Sequence, residues 1–165
     1  MAIDGRCGSG KTTLARELAL RYPARIFHTD DFYLPFARRG KDWQHRPGGN
    51  MDFERLREEV LAPARAGKAV SYRPYLAHAD LLEEEQVLEP CALSILEGSY
   101  SLHPSLKTDY DFRLFLTCSS ETQASRLRAR EGDNYSLFEK LWIPLEEGYF
   151  RSCGVQERCD LTVST

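Results

Sequence analysis

The chain has 165 residues, of which 42% are hydrophobic and 28% charged, a composition typical of one soluble globular domain spanning residues 1–165. Its net charge of −3 argues against the basic surface that nucleic acid or an anionic membrane would need, so we expect neither as a partner. Its five cysteines form no C-x-x-C pair, and no signal-peptide pattern or membrane-spanning apolar run is present, so we expect reduced thiols in a cytoplasmic protein.

The first half of the chain alternates between short apolar runs and helical patterns. Residues 1–3 predict a short strand, and a helix is expected from Thr12 to about Tyr22. A second strand, 24–28, ends at an acidic pair. A polar loop rich in Gly and Pro covers 37–50, and a helix follows from Asp52 to about Ala64.

The second half continues the alternation. Segments 69–73 and 85–88 suggest a small hairpin. The remaining expected elements are strands 93–96, 112–117 and 161–163 and helices 120–131 and 134–150. Pro144 lies inside the last helix and should bend it or end its first half. An apolar stripe of Phe138, Leu141, Trp142, Leu145 and Tyr149 on this helix is interpreted as core.

Residues 5–12 read GRCGSGKT and match the pattern G-x-x-x-x-G-K-[S/T] completely. In such a loop, glycines let backbone N–H groups turn toward a phosphate, and the next helix adds partial positive charge. Lys11 is expected to reach the β- and γ-phosphates, and the Thr12 hydroxyl to coordinate Mg²⁺. The residues predicted to bind the nucleotide are Gly5, Cys7, Gly8, Ser9, Gly10, Lys11, Thr12 and Thr13. The pKa of Cys7 could be lowered in this loop by the helix N-terminus and Lys11.

The strand–loop–helix context of this motif sets the expected fold. We predict an α/β P-loop NTPase architecture: a three-layer sandwich with a mostly parallel five-stranded sheet, helices on both faces and a small hairpin. The ligand should lie at the carboxyl ends of the strands.

Acidic residues follow two predicted strands and are candidates for catalysis. Glu97 ends strand 93–96, where it could hold Mg²⁺ through water and help orient the acceptor, or simply be a strand-end acid. Asp30 and Asp31 follow the second strand, where one carboxylate could take the proton of an attacking hydroxyl near Mg²⁺. A turn or helix cap is the alternative use of an Asp at this point.

Several segments, in order, resemble the uridine kinase family. The relatives of this family include nicotinamide riboside kinases, phosphoribulokinase and bacterial pantothenate kinases. The similar segments are 28–33 (HTDDFY) after the phosphate loop, 50–52 (NMD), 96–98 (LEG) and 125–130 (SRLRAR).

The resemblance implies roles for individual residues. Asp30 matches the general base, Asp52 the carboxylate that grips ribose hydroxyls, and Glu97 the acid beside Mg²⁺. Arg126 and Arg130 match lid arginines that touch phosphates, although a solvated basic face would show the same pattern. Lys11, Asp30 and Glu97 are thus the expected catalytic residues, and Thr12, Glu97 and Asp30 the expected metal site.

The acceptor side departs from the family pattern. Asp31, Tyr33, Asp52, Tyr75 and His78 are the candidates for substrate contact. Uridine kinases carry a Tyr and, five residues later, a His that reads the base, whereas Tyr75 in this chain precedes His78 by only three. This departure puts recognition of uracil or cytosine in doubt.

Three functions remain open from the sequence. The first is an ATP- and Mg²⁺-dependent kinase that phosphorylates a small-molecule hydroxyl, a nucleoside 5′-hydroxyl above all. The second keeps the fold but acts on pantothenate, another sugar alcohol or a nucleoside monophosphate. The third is a regulatory protein that senses ATP without transferring phosphate. The sequence does not choose between ATP and GTP or give the oligomeric state.

Overall fold

A computed structural model describes residues 1–106 and 110–165 and places a five-stranded parallel sheet at the centre. The strands along the chain are β1 (Ala2–Gly5), β2 (Ala24–His28), β3 (Val70–Tyr72), β4 (Tyr75–Leu76), β5 (Leu81–Leu82), β6 (Gln86–Leu88), β7 (Leu93–Glu97), β8 (Arg113–Thr117) and β9 (Leu161–Ser164). The order in the central sheet is β2-β7-β1-β8-β9, with every pair parallel. The predicted α/β fold is confirmed.

In the described part of the chain, four helices flank the sheet, and two of them change geometry along their length. They are α1 (Lys11–Arg21), α2 (Phe53–Arg55, Leu56–Leu61 and Ala62–Arg65), α3 (Ser120–Glu131) and α4 (Tyr135–Leu137, Phe138–Trp142 and Ile143–Cys153). The middle segments of α2 and α4 are π-helical. Short 3₁₀ turns cover Thr29–Phe32, Phe36–Arg38, Trp43–His45, Pro104–Leu106, Gly132–Asn134 and Gln156–Arg158. In α4 the π segment ends just before Pro144, which has no N–H to continue that ladder.

The two faces of the sheet bury separate apolar clusters. In β8, Leu114 and Leu116 point to the α1 side, where Ile3 and Ile95 complete the cluster. Phe115, between them, points to the opposite side, which α2 and α4 cover. This alternation is what a strand buried on both faces requires, and it makes the domain a three-layer sandwich.

Two small hairpins project from the sheet. The predicted hairpin is confirmed, with β3 and β6 antiparallel and Val70 opposite Leu88. The strands β4 and β5 were not predicted, because they pair over two residues each, too few for a periodic pattern. Within the described ranges, no helix has the length and apolar character needed to cross a membrane.

A fully buried carboxylate lies beneath the phosphate loop and was not predicted from the sequence. It belongs to Asp4, which points to the α4 side of β1. Its Oδ2 accepts hydrogen bonds from the Tyr149 hydroxyl (2.7 Å) and the Leu102 N–H (2.9 Å), and its Oδ1 accepts one from the Gly5 N–H (2.7 Å). Burial raises the pKa of Asp4 to about 6, against the opposing effect of these hydrogen bonds. The carboxylate therefore ties the end of β1 to α4.

The raised pKa makes stability depend on pH with a definite sign. The native state binds the Asp4 proton more tightly than the unfolded state, so stability falls as pH rises from 3.8 to about 6. Relative to Asp4→Asn, wild-type unfolding free energy should fall by roughly 3 kcal/mol over that window and then stay level. Urea denaturation of both proteins between pH 4 and 7.5 measures this difference. An unfolding free energy that changes with pH by the same amount in both proteins would contradict this prediction.

Candidate active site

The phosphate loop connects β1 to α1 at the carboxyl edge of the sheet. Gly5 has a φ of +134°, and a Cβ there would overlap the Leu116 carbonyl of the neighbouring strand, so only glycine fits. The buried Lys11 ammonium donates to the carbonyls of Gly5 (2.7 Å) and Arg6 (3.0 Å). Lys11 thus lies across the loop that contains it.

Side chains from later elements hold the loop in place, and three of them contact Arg6 and Cys7. Arg6 Nε pairs with Glu147 Oε1 at 2.6 Å, and the Cys7 N–H donates to Glu146 Oε2 at 2.9 Å. Gln123 Nε2, from α3, donates to the Cys7 carbonyl at 2.9 Å. None of the three contacts was predicted, because each joins residues more than a hundred positions apart along the chain.

The parallel register brings Glu97 next to the start of α1. His28 lies opposite Glu97 in the β2–β7 pair. Glu97 Oε1 lies 2.9 Å from the Thr12 hydroxyl and 2.5 Å from His28 Nδ1. Burial acts to raise the pKa of Glu97, but the hydrogen bonds from His28 and Thr12 outweigh it and the pKa is lowered. The hydrogen bond to Glu97 also raises the pKa of His28.

The Thr12–Glu97 pair is a fitting place for Mg²⁺. A hydroxyl and an ionised carboxylate offer the hard oxygen ligands that Mg²⁺ prefers, and the ion usually takes its other ligands from water and phosphate. No group of three or more His, Cys, Asp and Glu side chains forms a metal cage in the described part of the chain.

The structure separates the two neighbouring aspartates. Asp30 is exposed and lines the same cavity as the phosphate loop, where its Oδ1 accepts a hydrogen bond from the Tyr33 hydroxyl at 2.8 Å. Asp31 turns away and accepts from the Tyr72 hydroxyl at 3.2 Å. Burial raises the pKa of Asp31 in spite of His28 and Tyr72. Of the pair, Asp30 faces the cavity.

The two predicted lid arginines occupy different positions. Arg130 borders the cavity of the phosphate loop, and its Nε pairs with Glu131 at 2.5 Å. Arg126 lies behind the loop, where it donates to the Gly8 carbonyl (3.1 Å) and the Thr165 hydroxyl (2.8 Å).

Besides Asp31, three predicted acceptor residues lie outside the lining of this cavity. Asp52 caps α2 by accepting from the Arg55 N–H and also pairs with Arg38 at 3.1 Å. Tyr75 is buried with its hydroxyl on Asp80 (2.5 Å), and His78 is exposed in the turn between β4 and β5. Of the candidates for substrate contact, Tyr33 alone joins the phosphate loop in lining the cavity.

The cavity has a volume of about 530 Å³ and an aromatic wall. Tyr33, Tyr100, Phe138 and Trp142 form this wall opposite the loop. The interpretation of the α4 stripe as core is therefore wrong for Phe138 and Trp142, although it holds for Leu145 and Tyr149. Helical spacing could not separate the two halves, because the cavity and the core lie on one continuous face of α4.

Cys7 also departs from its sequence-based expectation. Its thiol is buried, and burial together with the nearby Glu146 carboxylate raises its pKa, against the lowering effect of Lys11. The suggestion that the loop environment lowers this pKa is wrong. Glu146 belongs to none of the sequence motifs, so its charge beside the thiol was not foreseen.

Comparison with known proteins places this geometry in a fold family. A possible uridine kinase from Bacillus stearothermophilus aligns with a TM-score of 0.72 and 21% identity over 98% of this chain and 85% of its own. D-glycerate 3-kinase from Cryptococcus neoformans aligns at 0.56, with 14% identity over 88% and 77%. The fold is that of a P-loop kinase. The resemblance to uridine kinase-like proteins is thereby confirmed at the level of the fold.

Sequence comparison adds another kinase to these structural matches. The cytidylate kinase of Pelotomaculum thermopropionicum is 29% identical over 78% of this chain and 68% of its own length. No protein-family model matches the chain. The P-loop kinase fold is thus supported both by structures and by sequence relatives.

The raised pKa of Cys7 predicts low thiol reactivity in this P-loop kinase fold. At pH 7.5, iodoacetamide should alkylate Cys7 at least about tenfold more slowly than the half-buried Cys91, because the thiolate is the reacting form. Peptide mapping by mass spectrometry after timed labelling measures both rates. Labelling of Cys7 first, with protection by Mg-ATP, would contradict this assignment.

Proposed function

We propose that this protein transfers the γ-phosphoryl group of ATP to a hydroxyl group of a small molecule, such as a nucleoside 5′-hydroxyl. The observation that carries the proposal is the position of Asp30. Its carboxylate lines the same cavity as Lys11 and the phosphate-loop glycines. A base and a phosphate cradle that share one cavity can align an acceptor with a donor.

The donor side supports binding of a nucleoside triphosphate. A second cavity of about 600 Å³ lies on the other side of the phosphate loop, bordered by Leu14, Arg126 and Val163. Gly8, Gly10 and Arg130 border both cavities. A triphosphate lying over the loop would place its base in the second cavity and its γ-phosphate in the first.

The acceptor side supports a hydroxyl nucleophile. The acceptor oxygen forms a bond to the γ-phosphorus as the bond to the β–γ bridging oxygen breaks, and that oxygen leaves on ADP with the electron pair. Asp30 receives the acceptor proton, while the Tyr33 hydroxyl fixes the carboxylate by its 2.8 Å hydrogen bond. Lys11 and Arg130 offset the negative charge of the transferred group. When bound, Mg²⁺ near Thr12 and Glu97 would neutralise phosphate charge.

A nucleoside monophosphate is the second candidate acceptor. The similarity to cytidylate kinase favours it. Transfer to a phosphate needs no base, but it needs cations around the acceptor phosphate. Among the described residues that line the cavity, Lys11 and Arg130 are the cations; Lys11 belongs to the phosphate loop, and Arg130 also borders the second cavity. This distribution favours the hydroxyl acceptor.

The test is an ADP-release assay with Mg-ATP and a panel of nucleosides, sugars, pantothenate and nucleoside monophosphates. Asp30→Asn should lower acceptor-dependent turnover by about 10²- to 10⁴-fold, because it removes the general base. Its affinity for ADP should stay within about twofold of the wild-type value, because Asp30 is not part of the phosphate loop.

Asp31→Asn is the matched control for this experiment. It removes a neighbouring carboxylate that faces Tyr72, so turnover should stay within a few-fold of wild type. Loss of turnover in Asp31→Asn alone would assign the base to Asp31. Wild-type turnover in Asp30→Asn would show that Asp30 is not the general base. ADP release that no acceptor stimulates would favour a nucleotide-sensing protein.

A further inference from the structure

Glu146 is a buried carboxylate that lines the cavity, and no sequence motif contains it. Its Oε2 accepts the Cys7 N–H of the phosphate loop at 2.9 Å, and its Oε1 accepts the Ser99 hydroxyl. The residue is 6% exposed and lines the cavity together with Ser99. These two donors, a backbone N–H and a hydroxyl, are both neutral.

The adjacent Glu147 is a contrasting carboxylate with a purely structural role. It pairs with Arg6 at 2.6 Å and lies outside the lining of the cavity. For Glu146, no Lys, Arg or His nitrogen lies within 4 Å in residues 1–106 and 110–165. No ion pair among the described residues therefore neutralises the Glu146 carboxylate directly, and its charge acts on a ligand in the cavity.

Carboxylates outnumber cations around this cavity in the residues that the structure describes. Its lining contains the carboxylates of Asp30, Glu97, Glu131 and Glu146 and two cations, Lys11 and Arg130, of which Arg130 pairs with Glu131. Burial and then the charge of Glu146 raise the pKa of the Tyr100 hydroxyl, which agrees with a carboxylate facing into this space. An acceptor that carries an anionic group would meet like charge from these carboxylates in a partly desolvated site, where electrostatic repulsion is strong.

We infer that Glu146 determines acceptor specificity by excluding acceptors that carry a phosphate or carboxylate group and admitting uncharged or cationic ones. This inference rests on the proposed function, since it describes the acceptor of that same cavity. It names a substrate class, namely neutral or cationic hydroxyl compounds. Nucleoside monophosphates and carboxylated acceptors such as pantothenate fall outside that class.

Binding of matched neutral and anionic probes tests this inference without relying on turnover. The probes are cytidine with CMP, and panthenol with pantothenate, each added in the presence of Mg-ADP. The protein contains two tryptophans, and Trp142 lines the cavity with Trp43 5.8 Å from it, so intrinsic fluorescence reports occupancy. The proteins are wild type, Glu146→Gln, Glu146→Asp and Glu147→Gln.

Wild type should bind the neutral member of at least one pair tenfold or more tightly than its anionic partner. Glu146→Gln keeps the shape of the side chain but removes its charge. This variant should bind the anionic probe more tightly and so narrow the neutral-to-anionic affinity ratio at least tenfold. Glu146→Asp, which keeps the charge, and Glu147→Gln, which changes a carboxylate outside the cavity, should keep the wild-type ratio. Thermal melts confirm that each variant is folded.

Three results would overturn the inference. They are an unchanged ratio in folded Glu146→Gln, tighter binding of the anion by wild type, and no binding of any of the four probes by wild type. The proposed function fails separately, when ADP release by wild type is independent of every acceptor even though the binding ratio behaves as expected.

Discussion

The site depends on one constraint: the carboxyl ends of β1, β2 and β7 meet at a single edge of the sheet. Parallel pairing in the order β2-β7-β1 places the phosphate loop, Asp30 and Glu97 on the loops that leave this edge. Residues far apart in sequence therefore line one cavity. The β1–β7 register sets Ile3 opposite Glu97, and the Glu97 carboxylate lies 2.9 Å from the Thr12 hydroxyl on the first turn of α1.

Carboxylates from the rest of the chain hold the phosphate loop from below and from one side. Asp4 lies beneath it and joins β1 to α4, while Glu146 and Glu147, both on α4, contact Cys7 and Arg6 of the loop, respectively. Negative side chains beside a phosphate site carry an electrostatic cost. The cations Lys11 and Arg130 line the same cavity as Glu146. In the proposed function these cations would serve the phosphates of the donor, and the carboxylates would act on the acceptor.

Local sequence predicted most of the fold, because strands, helices and the phosphate loop each have short-range patterns. The β2 bounds were predicted as observed, since an apolar run ended at two acidic residues. The Asp4, Glu146 and Gln123 contacts were not predicted, because they join residues 98 to 145 positions apart. The interpretation of the apolar stripe on α4 as core was wrong in part for a related reason. Phe138 and Trp142 are apolar like core residues, but the tertiary fold places a cavity beside them.

Phosphoryl transfer to a hydroxyl, as distinct from binding or hydrolysis of ATP, is the central claim. Phosphorus NMR of a reaction mixture containing the protein, Mg-ATP and an acceptor that stimulates ADP release tests it most directly. If the claim is correct, a phosphomonoester signal and the signals of ADP grow in equal amounts, with no matching orthophosphate. Growth of orthophosphate alone, or of a phosphoanhydride product from a phosphate acceptor, would contradict it.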